Sequence, residues 1–236
     1  MELNGYKNKY FSILGDSIST FGGASEPEDA VFYDTSRKLE SEVLTVGDTW
    51  WGRVIEGLGG RLLVNNSFSG STVCYHPSFE IPSYSCSDER TSSLGKDGIS
   101  PDVIMVYMGT NDWGWGFRVF RDERYDPVED DPRRFESAYG QMLGKLRANY
   151  PEAELWCFTL AVSKCVRTPE FSFPYYYGGR HLEEYCKAIR GCAEAQGCRV
   201  IDLYERAEPY DTIDGFHPNR EGMKTIAEAV MESLKE

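Results

Sequence analysis

Short, almost wholly apolar runs recur along the chain, each ending at glycine, asparagine or a polar loop. They are Tyr10–Leu14, Arg61–Val64, Asp102–Met108, Glu154–Leu160 and Arg199–Leu203. Runs without in–out alternation suit strands covered on both faces, as in a parallel sheet. Between them apolar residues recur at helical spacing. Asp48 is placed to cap a helix from Thr49 to about Leu58. A second helix follows Asp131-Pro132, with Phe135, Ala138, Tyr139, Met142, Leu143 and Leu146 on one stripe. A third spans about Leu182 to Ala195, and a last runs from about Pro218 to Leu234 with Pro218 in its first turn. Strand–helix alternation predicts an α/β sandwich with a mostly parallel sheet. Residues 22–47, 74–100 and 113–130 fit no element and are rich in Gly, Ser, Pro and charge, as functional loops are. No repeat or boundary divides the 236 residues, which read as one domain over 1–236.

Bulk properties narrow the function. The formal net charge is -13, from 38 acidic and 25 basic residues. A nucleic-acid partner calls for a basic surface, and so does an anionic lipid surface; neither is expected. Seven cysteines at irregular spacing, with no C-x-x-C, speak against a disulfide framework or a four-cysteine zinc site. Reduced thiols in a cytoplasmic protein are the simplest expectation, since the N-terminus MELNGYKNKYFSILGDS lacks the order of a signal peptide. No apolar run reaches the length of a membrane span.

Four segments carry candidate chemistry, three of them at strand ends, where open α/β sheets bind ligands. Gly15-Asp16-Ser17-Ile18-Ser19 follows the first run. A serine there can present its hydroxyl to a cleft, with Gly15 allowing the tight turn. Gly, Asp and Ser are also ordinary turn residues. Asn65-Asn66-Ser67-Phe68-Ser69-Gly70-Ser71-Thr72 follows the second run; Gly70 can bring a backbone N–H close to a substrate oxygen, or the stretch is a plain polar loop. Gly109-Thr110-Asn111-Asp112 follows the third; the Asn111 amide is a neutral oxyanion donor, or else a helix cap. Asp214-Gly215-Phe216-His217-Pro218 precedes the last helix, and taken alone also reads as a surface turn with an incidental histidine. A serine needs a base to take its proton, histidine supplies one near neutral pH, and a carboxylate three residues away can fix its tautomer. The other two histidines, His76 and His181, read as structural or solvated.

In this order the segments resemble the SGNH (GDSL-like) hydrolase family, whose blocks look like G-D-S, a loop glycine, G-x-N-D and D-x-x-H. The resemblance runs from residue 10 to the C-terminus. It implies a three-layer α/β/α sandwich with a flavodoxin-like sheet, and a serine esterase needing no cofactor or metal. It assigns Ser17 as nucleophile, His217 as base and Asp214 as its orienting carboxylate. Ser17 N–H, Gly70 N–H and the Asn111 amide would form the oxyanion hole. GDSIS replaces the usual GDSL by a volume-conserving apolar swap, and no block residue is missing. The absence of G-x-S-x-G speaks against an α/β-hydrolase elbow.

Substrate contacts are expected from Asp16, Trp113 and Trp115, with Tyr175-Tyr176-Tyr177 as a further wall. Aromatics among polar neighbours suit sugar rings, so the expected partner is a small ester or acylated carbohydrate, acetyl esters foremost; the same residues can simply pack loops. No long apolar lid suggests a long-chain lipase. Two other readings use the same features: a noncatalytic carbohydrate-binding module with Trp113 and Trp115 as platform, and a flavodoxin-like nucleotide or flavin binder using Ser17, Ser19 and Thr20. A zinc site at Cys74, His76 and Cys86 lacks a fourth close ligand.

Overall fold

The computed structural model describes residues 3–25, 30–77, 83–124, 126–164 and 175–235. Each of the five apolar runs forms a strand: β1 (Tyr10–Gly15), β2 (Arg61–Ser67), β3 (Val103–Tyr107) and β4 (Glu154–Phe158), with the fifth, Arg199–Ile201, numbered β7. Between the last two lies a two-residue hairpin, β5 (Tyr176–Tyr177) with β6 (Arg180–His181). The main sheet has the order β2-β1-β3-β4-β7 and every pairing in it is parallel. The order reverses direction at β1 and β3, whose carboxyl ends flank the crevice where such sheets bind ligands.

Helices cover both faces. On one side α2 (Trp50–Gly57) packs on α8 (Arg220–Ser233); on the other α5 (Phe135–Asn149) packs on α6 (Leu182–Ala195). Alternation along β4 shows why both faces must be apolar. Phe158 meets Trp50 of α2 edge-on at 5.2 Å, while the preceding Cys157 points to Tyr139 of α5. One hydrophobic core runs from Tyr6 to Leu234 and includes the fully buried Trp50, Trp51 and Trp156. Removing any one of these rings would cost about 3–5 kcal/mol.

Several local expectations are corrected. Thr49, not Asp48, caps α2, its hydroxyl accepting Gly52 N–H; Asp48 instead accepts the Leu44 and Thr45 N–H groups one turn earlier. Asn219 caps α8 through the Gly222 N–H, so Pro218 lies before the helix, where its carbonyl accepts from Tyr33. Leu203 leaves the sheet and opens α7 (Leu203–Arg206). The three irregular stretches contain α1 (Thr35–Ser41), α3 (Asp88–Ser92) and the end of α4 (Thr110–Trp115). α1 and α3 are too short for periodicity to reveal, though both carry cap residues, Asp34 and Ser87.

The six described cysteines are free thiols, and Cys165 lies outside the described residues. Cys74 and Cys86 are buried, and among the described residues no group of three or more His, Cys, Asp or Glu is arranged to hold a metal ion. Among the same residues no helix is long and apolar enough to cross a membrane.

Candidate active site

The chain leaves β1 into a single 3-10 turn, Ser17–Ser19, capped by Asp16, whose Oδ1 accepts the Ile18 N–H at 3.0 Å. Gly15 is needed for space rather than for an unusual turn. A Cβ there would stand 2.6 Å from both Ser19 Cβ and Ser67 Oγ. Ser19 anchors the turn to α2: its carbonyl accepts from Trp51 Nε1 at 2.9 Å and its hydroxyl from Trp50 Nε1 at 3.2 Å. Ser17 is thereby held at the sheet's carboxyl edge.

The Asp214–His217 loop folds onto this turn as an Asx-turn. Asp214 Oδ1 accepts the N–H groups of Phe216 and His217 at 3.0 and 2.8 Å, and Gly215 takes a φ of +100°. Three hydroxyls hold the loop by its carbonyls: Ser163 on Gly215, Tyr210 on Phe216 and Tyr33 on Pro218, at 2.7–2.8 Å. Asp214 Oδ2 then lies 2.6 Å from His217 Nδ1, and His217 Nε2 lies 2.9 Å from Ser17 Oγ. Burial pushes Asp214 up, but the hydrogen bonds from the His217 ring and backbone and the nearby imidazole outweigh it. The carboxyl is held well below the usual range. An ionised Asp214 only accepts, so Nδ1 carries the hydrogen and Nε2 is free to accept from the serine hydroxyl.

Two residues past β3, Gly109 caps α4 with a φ of +125°; a side chain there would also press on Phe135 at 3.0 Å. The next turn presents Asn111, whose Nδ2 donates to the Ser71 carbonyl at 2.8 Å and keeps a second N–H. Gly70 immediately precedes Ser71 and has a φ of +80° that suits glycine.

Two buried charges tie this loop in place. Asp112 accepts the N–H groups of Val73 and Cys74 at 2.8 and 2.9 Å. Arg90, from α3, donates to Ser71 Oγ and Ser83 Oγ at 2.8 Å, to the Asn66 side chain and carbonyl, and to the Gly15 carbonyl at 3.2 Å. One guanidinium thus bridges the strand end before Ser17 and the residue after Gly70. Burial draws Arg90 down to about 10, against the pull of Asp16 and Glu89. Burial likewise raises Asp112 to about 6 despite its backbone hydrogen bonds, and Asp16 to about 7, with the Asp112 charge adding to the rise.

A cavity of about 300 Å³ opens over these groups, lined by Ser17, Asn111, His217, Trp115, Tyr177 and Phe216 among others. Trp115 is 67% exposed at its mouth. Two residues expected at the substrate stand behind the wall instead. Asp16 is 1% exposed and spends Oδ1 on its own turn; Trp113 is 3% exposed, sends its indole N–H to the Arg180 carbonyl, and backs Tyr177 and Phe216. His181 caps α6, its Nδ1 accepting the Glu183 N–H at 3.1 Å.

A family model for GDSL-like lipase/acylhydrolase matches residues 9–164. The chain belongs to the GDSL-like lipase/acylhydrolase family. A Bacteroides uniformis protein described as a GDSL-like lipase is 30% identical, covers 100% of this chain and 99% of its own, and superposes with a TM-score of 0.70. Its counterpart from Bacteroides ovatus is 26% identical over 97% of this chain and 99% of its own, with a TM-score of 0.72. A carbohydrate acetylesterase from Sinorhizobium meliloti, 15% identical, shares the fold at a TM-score of 0.65 over 97% of this chain and 99% of its own. Among curated proteins none matches. This family member is a carboxylic ester hydrolase with the SGNH α/β/α fold.

Proposed function

We propose that the protein hydrolyses short acyl esters, acetyl groups on carbohydrate foremost, with Ser17 as nucleophile, His217 as general base and acid, and Asp214 as the carboxylate that orients it. The reading is carried by the unbroken chain Ser17 Oγ–His217–Asp214 at 2.9 and 2.6 Å, opening into a cavity. Ser17 Oγ attacks the ester carbonyl as its proton passes to His217 Nε2, and Asp214 stabilises the imidazolium. The tetrahedral oxyanion takes the Ser17 N–H, the Gly70 N–H and the free N–H of Asn111. His217 returns the proton to the leaving alcohol, and a water activated by the same imidazole releases the acyl group.

The cavity's size favours short acyl chains, and exposed Trp115 beside Tyr177 and Phe216 favours a sugar as the alcohol, through stacking on its apolar face. The existence of a carbohydrate acetylesterase on the same fold is compatible with this choice. One core from Tyr6 to Leu234 supports reading residues 1–236 as one hydrolase domain. The hydrogen-bonded triad favours catalysis over a noncatalytic carbohydrate-binding module, and the base at Ser17 favours it over a flavin or nucleotide binder.

The test is turnover of p-nitrophenyl acetate and a panel of acetylated sugars beside Ser17→Ala. Loss of turnover on the order of 10⁴-fold or more is expected, with an unchanged melting temperature. Retained turnover in the variant contradicts the assignment.

A further inference from the structure

The His217 imidazole lies face to face on the Phe32 ring, with centroids 3.5 Å apart and planes 9° from parallel. For two neutral rings this sandwich is unfavourable, because both faces carry negative charge density and offset or edge-on packing is preferred. For a cation over an aromatic face the sign reverses. The arrangement therefore fits the protonated imidazole better than the neutral one.

The segment bearing Phe32 is built onto both halves of the site. Its N–H donates to Thr20 Oγ1 at 2.9 Å, and that hydroxyl donates to the Ser17 carbonyl at 2.8 Å. The next residue, Tyr33, is fully buried and donates to the carbonyl of Pro218, the neighbour of His217. Phe32 is thus fixed relative to nucleophile and base together. With Asp214 and Ser17 on the two ring nitrogens, the stack closes one face and opposes rotation of the imidazole out of both hydrogen bonds.

We propose that Phe32 is a positioning residue that holds the His217 ring and stabilises its protonated form while the imidazole carries the serine's proton. The role rests on the reading of His217 as the base. Among the described residues, the charged and titratable groups about the ring are few. Asp214 meets Nδ1, and Asp16 lies buried under the Ser17 turn. The Tyr33 and Tyr210 phenols are engaged with carbonyls of the histidine's loop. The Arg37 guanidinium, paired with Glu40, sits 5.2 Å from the Phe32 centroid.

The experiment follows the His217 ring by NMR titration in the full-length protein, alongside the pH profile of kcat/KM on p-nitrophenyl acetate. Wild type is compared with Phe32→Leu, Phe32→Tyr, and Phe32 replaced by mono-, di- and trifluorinated phenylalanine. Leucine keeps the packing but removes the π face. Fluorination drains that face in steps at nearly constant size, so it carries the test even if the leucine variant fails to fold. The expected result is a midpoint lowered by about half a pH unit in Phe32→Leu, stepwise lowering with fluorination, and recovery in Phe32→Tyr. The acidic limb of kcat/KM moves the same way, and the plateau of Phe32→Leu falls severalfold. A His217 midpoint invariant across the fluorinated series overturns the proposal. The titration reads the stack without turnover, so a protein that shifts as expected yet cleaves no ester refutes the esterase reading alone.

Discussion

His217 Nε2 stands 2.9 Å from Ser17 Oγ although 200 residues separate them in the chain. The contact forms because β1 lies beside β3 at the centre of the sheet while the loop before α8 folds back over the same edge. Asp214 completes the relationship by fixing which nitrogen carries the hydrogen. Replacing it by asparagine keeps the shape but lets the amide donate to Nδ1, which turns the ring to the wrong tautomer. Asp214→Asn is expected to lower kcat on the order of 10²–10⁴-fold with little change in KM. Steady-state kinetics on an aryl acetate check this, and an unaltered kcat refutes it.

Arg90 is the structural centre of the loop that carries Gly70 and Ser71. Substituting methionine removes its donors from the carbonyls of Gly15 and Asn66 and from the Ser71 and Ser83 hydroxyls. Unmet buried acceptors cost about 1–3 kcal/mol each before relaxation. Thermal unfolding of Arg90→Met should show a melting point lowered by roughly 5–10 °C for a chain of this size. Lysine, which fills the space with one charge and fewer directed donors, should recover only part of it. An unchanged melting point would show that Arg90 does not hold the loop.

Asp16 gives a pH dependence of stability. Its folded carboxyl is raised to about 7 by burial, so between about pH 4 and 7 the folded protein keeps a proton that the unfolded chain has released. The native state's preference for neutral Asp16 is fully present below about pH 4 and is lost as pH rises toward 7. Asparagine keeps the acceptor for Ile18 and does not titrate. The melting temperature of Asp16→Asn should therefore gain on wild type as pH rises from 4 to 7.5, and curves that stay parallel contradict a neutral buried Asp16.

Much of this was readable in advance, for physical reasons. Strands buried on both faces must be apolar throughout, so β3 and β4 announce themselves, and α5 and α6 repeat apolar residues at helical spacing. Ser17, Asn111, Asp214 and His217 are legible because their neighbours are turn residues at strand ends or before a helix. Arg90, Phe32, Tyr33, Ser163 and Tyr210 are not. Each acts through contacts across distant segments, and no local spacing marks a buried arginine or a ring lying on a histidine. Asp16 and Trp113 are the opposite case: adjacency to Ser17 and Asn111 points to substrate contact, while the turn and α4 bury both side chains.

The central claim is that Ser17 is the activated nucleophile. The most direct measurement is intact and peptide mass spectrometry after treatment with a fluorophosphonate, in wild type and His217→Ala. A single stoichiometric adduct on Ser17, formed far more slowly without His217, is the expected result. An adduct on another residue, or continued ester hydrolysis by protein fully labelled at Ser17, would contradict it.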